Sequence, residues 1–577
     1  MRLIIGLTFI LITAMASRAD ELNVSIRQFI GNNPLNSRYV IDKEYLINGD
    51  AMRMFYFNRM FTPAWIHRDT PGWIHWNAPA RTSPYFRERI IQSGSAWAVQ
   101  NVVDRNAYEL LNYIRQVDTH GLHPKDFHLA LIEKYLGKSV SRTPGDTLNG
   151  MDMMKLDVLL TDAYLSLGAQ LYYGKVDPLK ESADWKMQRK EPKLRFDLKL
   201  EEALSANNLA NSLDQLAPKY RSYWMMKNEL DFFLKLKEQP WPSLASEKAI
   251  KPGDTNPLIP KIRERLIKLR YQLSDSLSMA YDEELEKQLK LFQNDWGLNS
   301  DSIIGKETLN VLNSKPEKLI NQLKVNMERL RWLPLQVTRK YIVVNIANFE
   351  LDLIEDTDTL ISMKAVVGKN YRKTPVFNDR MTYIVFSPNW TVPPTILQND
   401  VIPELLKGPA YLEKKKMHLL RPDGSEIAYS DIDWSKISKH RFPYLVRQNP
   451  GPGNSLGRVK FMFPNNYDIY IHDTPSKGSF SINDRALSSG CIRAEKPYEL
   501  AVLLLADIPE WSPSHIRSAM EQIREQRVFL KTPVDVMVIY LTAWTDGNSR
   551  VQFRKDVYGQ DGIVLNALNK KPETVKV

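Results

Sequence analysis

The feature that most constrains this chain is a change of hydrophobic period at Pro334. Upstream, apolar residues recur at helical spacing, as in Ala107-Tyr108-Glu109-Leu110-Leu111-Asn112-Tyr113-Ile114 and in Leu156 to Leu165. Pro/Gly punctuation at Gly121, Pro124 and Pro178 ends such runs. Downstream the period becomes strand-like in Tyr341–Ile346, Met363–Val367, Thr382–Phe386, Val459–Phe463, Tyr467–Ile471 and Val534–Tyr540. A chain that switches period once folds its two halves differently, and 577 residues exceed one ordinary core. The expected class is a multidomain α+β protein. Its N-terminal half is mainly helical, and its C-terminal half is a mixed-sheet, β-sandwich-like domain.

The first residues carry a different signal. Arg2 precedes an apolar run from Leu3 to Ile12, and small residues at Ala14, Ala16, Ser17 and Ala19 follow. That layout predicts a secretory signal peptide over 1–19, too short in its apolar run for a membrane span. An uncleaved anchor is the alternative reading. Export places the mature protein in the periplasm, where a lone thiol is a liability. The chain has one cysteine, Cys491, so no internal disulfide is available.

Between the halves, Gln239 to Pro260 is polar and proline-containing and reads as a linker. A compact helical unit follows to about Asn313, with Leu285, Leu289, Phe292, Trp296-Gly297-Leu298 and Ile304-Gly305 as its apolar positions. Gln322 to Leu333 predicts a further helix stopped by Pro334. From Ile396 to Arg447 the strand rhythm breaks into a segment expected to be helical, with Lys414-Lys415-Lys416 on a solvated face. The expected divisions are a scaffold at 20–245, a module at 246–320, a β-rich domain at 335–562 with an insertion at 396–447, and a tail at 563–577. His120, His123 and His128 lie across a Gly/Pro turn rather than on one helix face, so they are read as structural and not as metal ligands. The net charge of +11 is diffuse, without a dense basic run interleaved with aromatics, which argues against nucleic acid.

The chemistry concentrates in two short stretches. Tyr470-Ile471-His472-Asp473-Thr474-Pro475 ends a strand, and Ser488-Ser489-Gly490-Cys491-Ile492-Arg493 places Cys491 19 residues after His472. An imidazole that takes a thiol's proton makes the sulfur a nucleophile. Gly490 permits a sharp bend and close approach, so its amide and that of Cys491 are candidate oxyanion donors. Tyr470 lies two residues before His472 and shares its strand face. Arg493 emerges near the thiol, where a guanidinium suits a substrate carboxylate or anchors the loop to an acid. The group orienting His472 stays open: Asp473 points to the opposite strand face, which leaves a backbone carbonyl.

These two stretches resemble the signature of L,D-transpeptidases with a YkuD-type catalytic domain. Val367-Gly368-Lys369 with Thr374-Pro375, Asn389-Trp390-Thr391-Val392-Pro393-Pro394, Thr532-Pro533-Val534 and Asp556-Val557-Tyr558-Gly559 are similar to further elements of its large Gram-negative class. The resemblance is strong over about 335–562. More loosely, Phe55-Tyr56, Pro63-Ala64-Trp65 and the Leu159–Ala163 helix resemble that class's scaffold. The 261–313 unit is similar to a peptidoglycan-binding domain, and the 396–447 insertion to a substrate cap. Many members carry histidine where this chain has Ser489, which leaves His472 as the base. Arg493 stands where the shorter consensus has asparagine.

The resemblance implies a reaction in two steps. Cys491 attacks the third residue of a donor stem tetrapeptide, D-alanine leaves, and an acceptor stem amine resolves the thioester to a 3→3 cross-link. His472 moves the protons, and Ser489 and Trp390 join Gly490, Tyr470 and Arg493 in holding substrate. No metal or organic cofactor is needed, carbapenem-type lactams acylate the thiol, and the protein works as a monomer beside other cell-wall enzymes. Water as acceptor makes it an endopeptidase or carboxypeptidase, and a protein lysine makes it an anchoring enzyme. The reading of another class is a non-catalytic peptidoglycan-binding scaffold.

Overall fold

The computed structural model describes residues 38–42, 45–48, 97–99, 102–139, 148–182, 184–187, 190, 194–334, 338–546 and 550–570. The predicted signal peptide and the Phe55-Tyr56 and Pro63-Ala64-Trp65 matches lie outside them. No described helix is long and apolar enough to cross a membrane.

The N-terminal half is helical, as the period requires. Its helices are α1 (Arg105–Arg115), α2 (Leu129–Ser139), α3 (Gly150–Tyr173), α4 (Phe196–Ala206), α5 (Leu209–Leu216) and α6 (Arg221–Leu236). Side-chain oxygens of Asp104 and Asn149 cap α1 and α3. α3 is apolar on most sides because Leu156, Leu159, Leu160, Ala163, Tyr164, Leu167 and Leu171 are all buried among the other helices. The three histidines have separate partners: Tyr113 and Tyr223 for His120, Asn569 for His123 and Asp162 for His128.

The next unit holds α7 (Ile259–Lys268), α8 (Glu283–Asp295) and α9 (Lys306–Leu312) around Ile262, Leu266, Leu285, Leu289, Phe292 and Ile304. The expected linker is part of this unit: Leu244 and Ile250 are buried in its core, and Ile250 pairs with Ile304. Two apolar side chains among the prolines sufficed to bury that strap. The unit's Asp295-Trp296-Gly297 turn docks on a hairpin of the C-terminal half, Ala543–Thr545 with Val551–Phe553. Trp296 stacks on Phe553 with ring centroids 4.6 Å apart, and Asp295 accepts from Tyr271, Arg550 and Gln552.

α10 (Pro316–Trp332) starts a turn and a half earlier than expected, with Pro316 at its first position. It lies between α6 and the C-terminal half, and its Glu328–Arg331 ion pair is fully buried, with N–O distance 2.7 Å.

The β-rich half contains β1 (Lys340–Asn345), β2 (Glu350–Glu355), β3 (Asp358–Gly368), β4 (Phe377–Phe386), β5 (Val459–Met462), β6 (Ile471–His472), β7 (Ala486–Ser488), β8 (Ile492–Ala494) and β9 (Gln526–Ile539). Their order is β7-β3-β8-β6-β5-β4-β9-β1-β2, and β2 also pairs with β3. Eight of the nine strands therefore close into a flattened ring without a free edge, and β7 pairs with β3 outside it. It is mixed: β6–β8, β9–β1 and β7–β3 run parallel, the rest antiparallel. α11 (Pro497–Leu504) and α12 (Pro513–Glu521) follow β8. The strand expected over 467–471 shrinks to Ile471–His472. Asn465 takes its place by bonding the backbone of Phe463, Tyr467 and Ile469, which folds that stretch into a turn.

Two expected divisions need correction. The insertion is not simply helical: Trp390–Thr391, Met417–Leu420, Glu426–Ile427 and Leu445–Gln448 form a four-stranded antiparallel sheet, covered by short helices. It buries its own core of Val392, Val401, Leu405, Leu419 and Val446, so a second small sheet interrupts the first. Position 563 does not begin a tail either, because α13 (Asp561–Asn569) spans it. Val564 and Leu568 are buried, and Asp561 pairs with Arg329 of α10 at 2.6 Å.

Candidate functional site

The register of β6 and β8 places the site. Ile471 pairs with Ile492 and His472 with Arg493, in parallel. Registered neighbours share a sheet face, and successive residues alternate faces. Ile471 and Ile492 thus enter the core, both 0% exposed. His472 and Arg493 project from the opposite face, where the Tyr470 ring lies 5.7 Å from that of His472, and Cys491 immediately precedes β8. Sequence separation is irrelevant here, because the parallel pairing carries Cys491 back beside Tyr470.

His472 is buried, and its Nδ1 lies 2.5 Å from the Asp473 carbonyl. A carbonyl only accepts, so Nδ1 carries the proton and Nε2 keeps the lone pair. The orienting group is therefore the next residue's backbone, and the Asp473 carboxylate has another task. It accepts from the amides of Arg458 and Thr474 and from Lys477 Nζ, fixing the loop behind the histidine. Gly457 makes that approach possible: a Cβ there would lie 2.3 Å from Asp473 Oδ2, and its φ is +64°.

Cys491 is half-buried and directs Sγ to the Asp468 carbonyl at 3.6 Å, beside Tyr470. Trp390, on the edge strand of the insertion's sheet, lies close to Tyr470. Burial pushes the thiol up to about 11, against the Tyr470 contacts and the Arg493 charge, which favour the thiolate. Burial and the Arg493 charge hold His472 down to about 4, against the Asp473 and Leu456 carbonyls. Both groups are thus neutral near pH 7: the resting pair is thiol and imidazole, not thiolate and imidazolium. The expected result is that iodoacetamide alkylation of Cys491 climbs about tenfold per pH unit from pH 7 to 10. A rate already level above pH 7 would contradict a neutral pair.

The loop carrying the nucleophile is held through backbone atoms. Ser488 Oγ donates to the Cys491 carbonyl at 2.6 Å and accepts from the Gly490 amide at 3.1 Å. The Gly490 amide is therefore engaged, which corrects its assignment as an oxyanion donor and leaves the Cys491 amide. Gly490 has φ +125°, and a Cβ there would meet Ile469 Cδ1 at 3.2 Å. Thr374 donates to the Gly490 carbonyl at 2.6 Å and accepts from the Gly368 amide at 2.9 Å. Tyr558 donates to the Gly368 carbonyl at 2.6 Å. Positions up to 190 residues apart thus converge under Cys491. Ser488, Asp468 and Thr374 as supports escaped sequence reasoning, although Ser488, Thr374 and Tyr558 sit inside motifs singled out above. Gly490→Ala should strain the loop by about 1–3 kcal/mol and cut turnover at least tenfold by displacing Sγ, read by melting and by kinetics.

Arg493 is partly buried, and its Nε has no hydrogen-bond partner; no carboxylate among the described residues pairs with its guanidinium. Ser489 is exposed and accepts from Arg372 Nη1 at 3.1 Å. A cavity of about 470 Å³ is lined by Lys186, Phe377, Asp379, Arg380, Tyr467 and Asp535, and neither Cys491 nor His472 lines it.

Comparison with known proteins agrees with this layout. Residues 339–536 match the L,D-transpeptidase catalytic domain model, 90–230 the scaffold domain and 255–312 the "Putative peptidoglycan binding domain". A curated relative from Haemophilus influenzae, named "Putative L,D-transpeptidase", is 33% identical over 248 residues. The match covers 43% of this chain and spans half the length of that relative. Among solved structures, an L,D-transpeptidase from Xylanimonas cellulosilytica is 14% identical with TM-score 0.17, covering 52% of this chain and 100% of that one. One from Stackebrandtia nassauensis is 12% identical with TM-score 0.19, covering 52% and 96%. At such scores the fold rests on the strand pairings above. With catalytic, scaffold and peptidoglycan-binding models matched in one chain, residues 339–536 of the protein form a YkuD-type L,D-transpeptidase catalytic domain.

Proposed function

We propose that the protein is an exported peptidoglycan L,D-transpeptidase that forms 3→3 cross-links through a thioester on Cys491. The observation that carries this reading is the parallel pairing of β6, which ends on His472, with β8, which begins directly after Cys491, with the His472 lone pair on Nε2. In the first step the Sγ proton passes to Nε2 as sulfur attacks the carbonyl of the third stem residue, a diamino acid. The oxyanion takes hydrogen bonds from the Cys491 amide and the Tyr470 hydroxyl. D-alanine leaves as an amine protonated by His472. In the second step an acceptor-stem amine attacks the thioester, His472 takes its proton, and the thiol is regenerated. An unpaired Arg493 on the His472 face suits a donor carboxylate. That carboxylate also offsets the positive charge that depresses His472, so substrate raises the basicity of its own base.

The signal-like N-terminus supports action in the periplasm, on stem peptides and with other cell-wall enzymes as partners. The test is muropeptide analysis of mature protein incubated with tetrapeptide-containing peptidoglycan, with Cys491→Ala alongside. New 3→3 dimers that vanish in the variant support cross-linking. Released D-alanine or cleaved stems without dimers would replace it by a hydrolase.

A further inference from the structure

The insertion meets the β-rich domain's site at two points, and the second has no place in the reaction above. One is Trp390 on Tyr470. The other is Asp400, on the π-helical turn Leu397–Val401, whose carboxylate is held by both terminal nitrogens of Arg372, with Nη2–Oδ1 at 2.9 Å. The same guanidinium donates to Ser489 Oγ, two residues before the nucleophile. We infer that Arg372 is a specificity-determining residue that recognises a carboxylate of the substrate, and that Asp400 stands in that carboxylate's place in the resting enzyme.

Four features carry the inference, which rests on the stem-peptide reading above. The two-point grip of guanidinium on carboxylate is the geometry a ligand carboxylate takes. The pair is open to exchange, because solvent reaches the Asp400 carboxylate, whose side chain is 43% exposed against 17% for Arg372. Arg372 is anchored from the other side, since its Ser489 contact belongs to the β-rich domain and survives loss of Asp400. Finally, Asp400 sits on a π-turn, a helix type that is locally weak and frequent at functional sites. Arrival of a donor carboxylate would then release the insertion from one of its two contacts, so that recognition and opening are a single exchange. Arg493, on the strand face beside Cys491, remains for a second carboxylate.

The experiment measures binding without chemistry. In full-length protein carrying Cys491→Ala, dissociation constants are determined by calorimetry for a stem tetrapeptide as free acid and as C-terminal amide. The acid should bind about tenfold more tightly than the amide, a preference that Arg372→Gln removes. Asp400→Asn, which deletes the internal competitor, should tighten the acid several-fold and leave the amide unchanged. Preference for the acid that survives Arg372→Gln would overturn the inference and assign recognition to Arg493. Asp400→Asn weakening the acid would equally overturn it. If neither tetrapeptide binds and the wild type makes no dimers, the stem-peptide reading falls and this inference with it. If the wild type cross-links but Arg372→Gln changes nothing, only the inference falls.

Discussion

Cys491→Ala is expected to form no 3→3 dimer and no acyl-enzyme, a loss of about 10⁴-fold or more, while folding as the wild type does. The size follows from the chemistry: alanine offers no atom to attack the stem carbonyl, and this is the chain's one thiol. The unaltered fold follows from the contacts. Ser488 and Thr374 hold the nucleophile loop through the carbonyls of Cys491 and Gly490, and neither bond involves sulfur. Sγ itself loses only a 3.6 Å contact to the Asp468 carbonyl and its place beside Tyr470. Intact-mass spectrometry after exposure to a carbapenem should show an adduct on the wild type and none on the variant. Residual dimer formation above about one part in a thousand would mean that another group attacks. A fall in melting temperature of several degrees would mean that the thiol is structural as well.

Glu328→Ala should be the most destabilising single change in the helical half, by about 3–5 kcal/mol. Glu328 Oε1 accepts from the Val176 amide at 2.7 Å and from Trp332 Nε1 at 3.2 Å, and Oε2 accepts from Arg331. Both ion-pair side chains are 0% exposed. Arg331 also donates to the His120 carbonyl and to Tyr223. Truncating Glu328 strands a buried guanidinium, an amide and an indole N–H at the seam between scaffold and β-rich domain. The melting temperature should fall by on the order of 10 °C. Replacing Glu328 and Arg331 together by apolar residues of similar volume should cost much less, because no charge is then left unpaired. If the single and double variants melt alike, the pair's charge is not what holds the seam.

Chain order and residue type determined a good deal by themselves. The period change at Pro334 divided helical from β-rich structure, because 3.6 and 2 are local properties of which residues must face a core. The same local logic put Tyr470 and His472 on one face, as their rings, 5.7 Å apart, agree. Boundaries fared worse wherever burial came from distant partners. Leu244 and Ile250 make a strap of what reads as linker, and Val564 and Leu568 anchor a helix where a tail was expected. Only the tertiary structure decided the site itself. The parallel pairing of β6 with β8 sets Cys491 beside Tyr470, the Asp473 carbonyl selects the His472 tautomer, and Ser488 takes the Gly490 amide out of the oxyanion set. Burial decided the charge states of thiol and imidazole. Each depends on which chain segments meet across the ring, and strand register and desolvation are long-range quantities that no window of sequence contains.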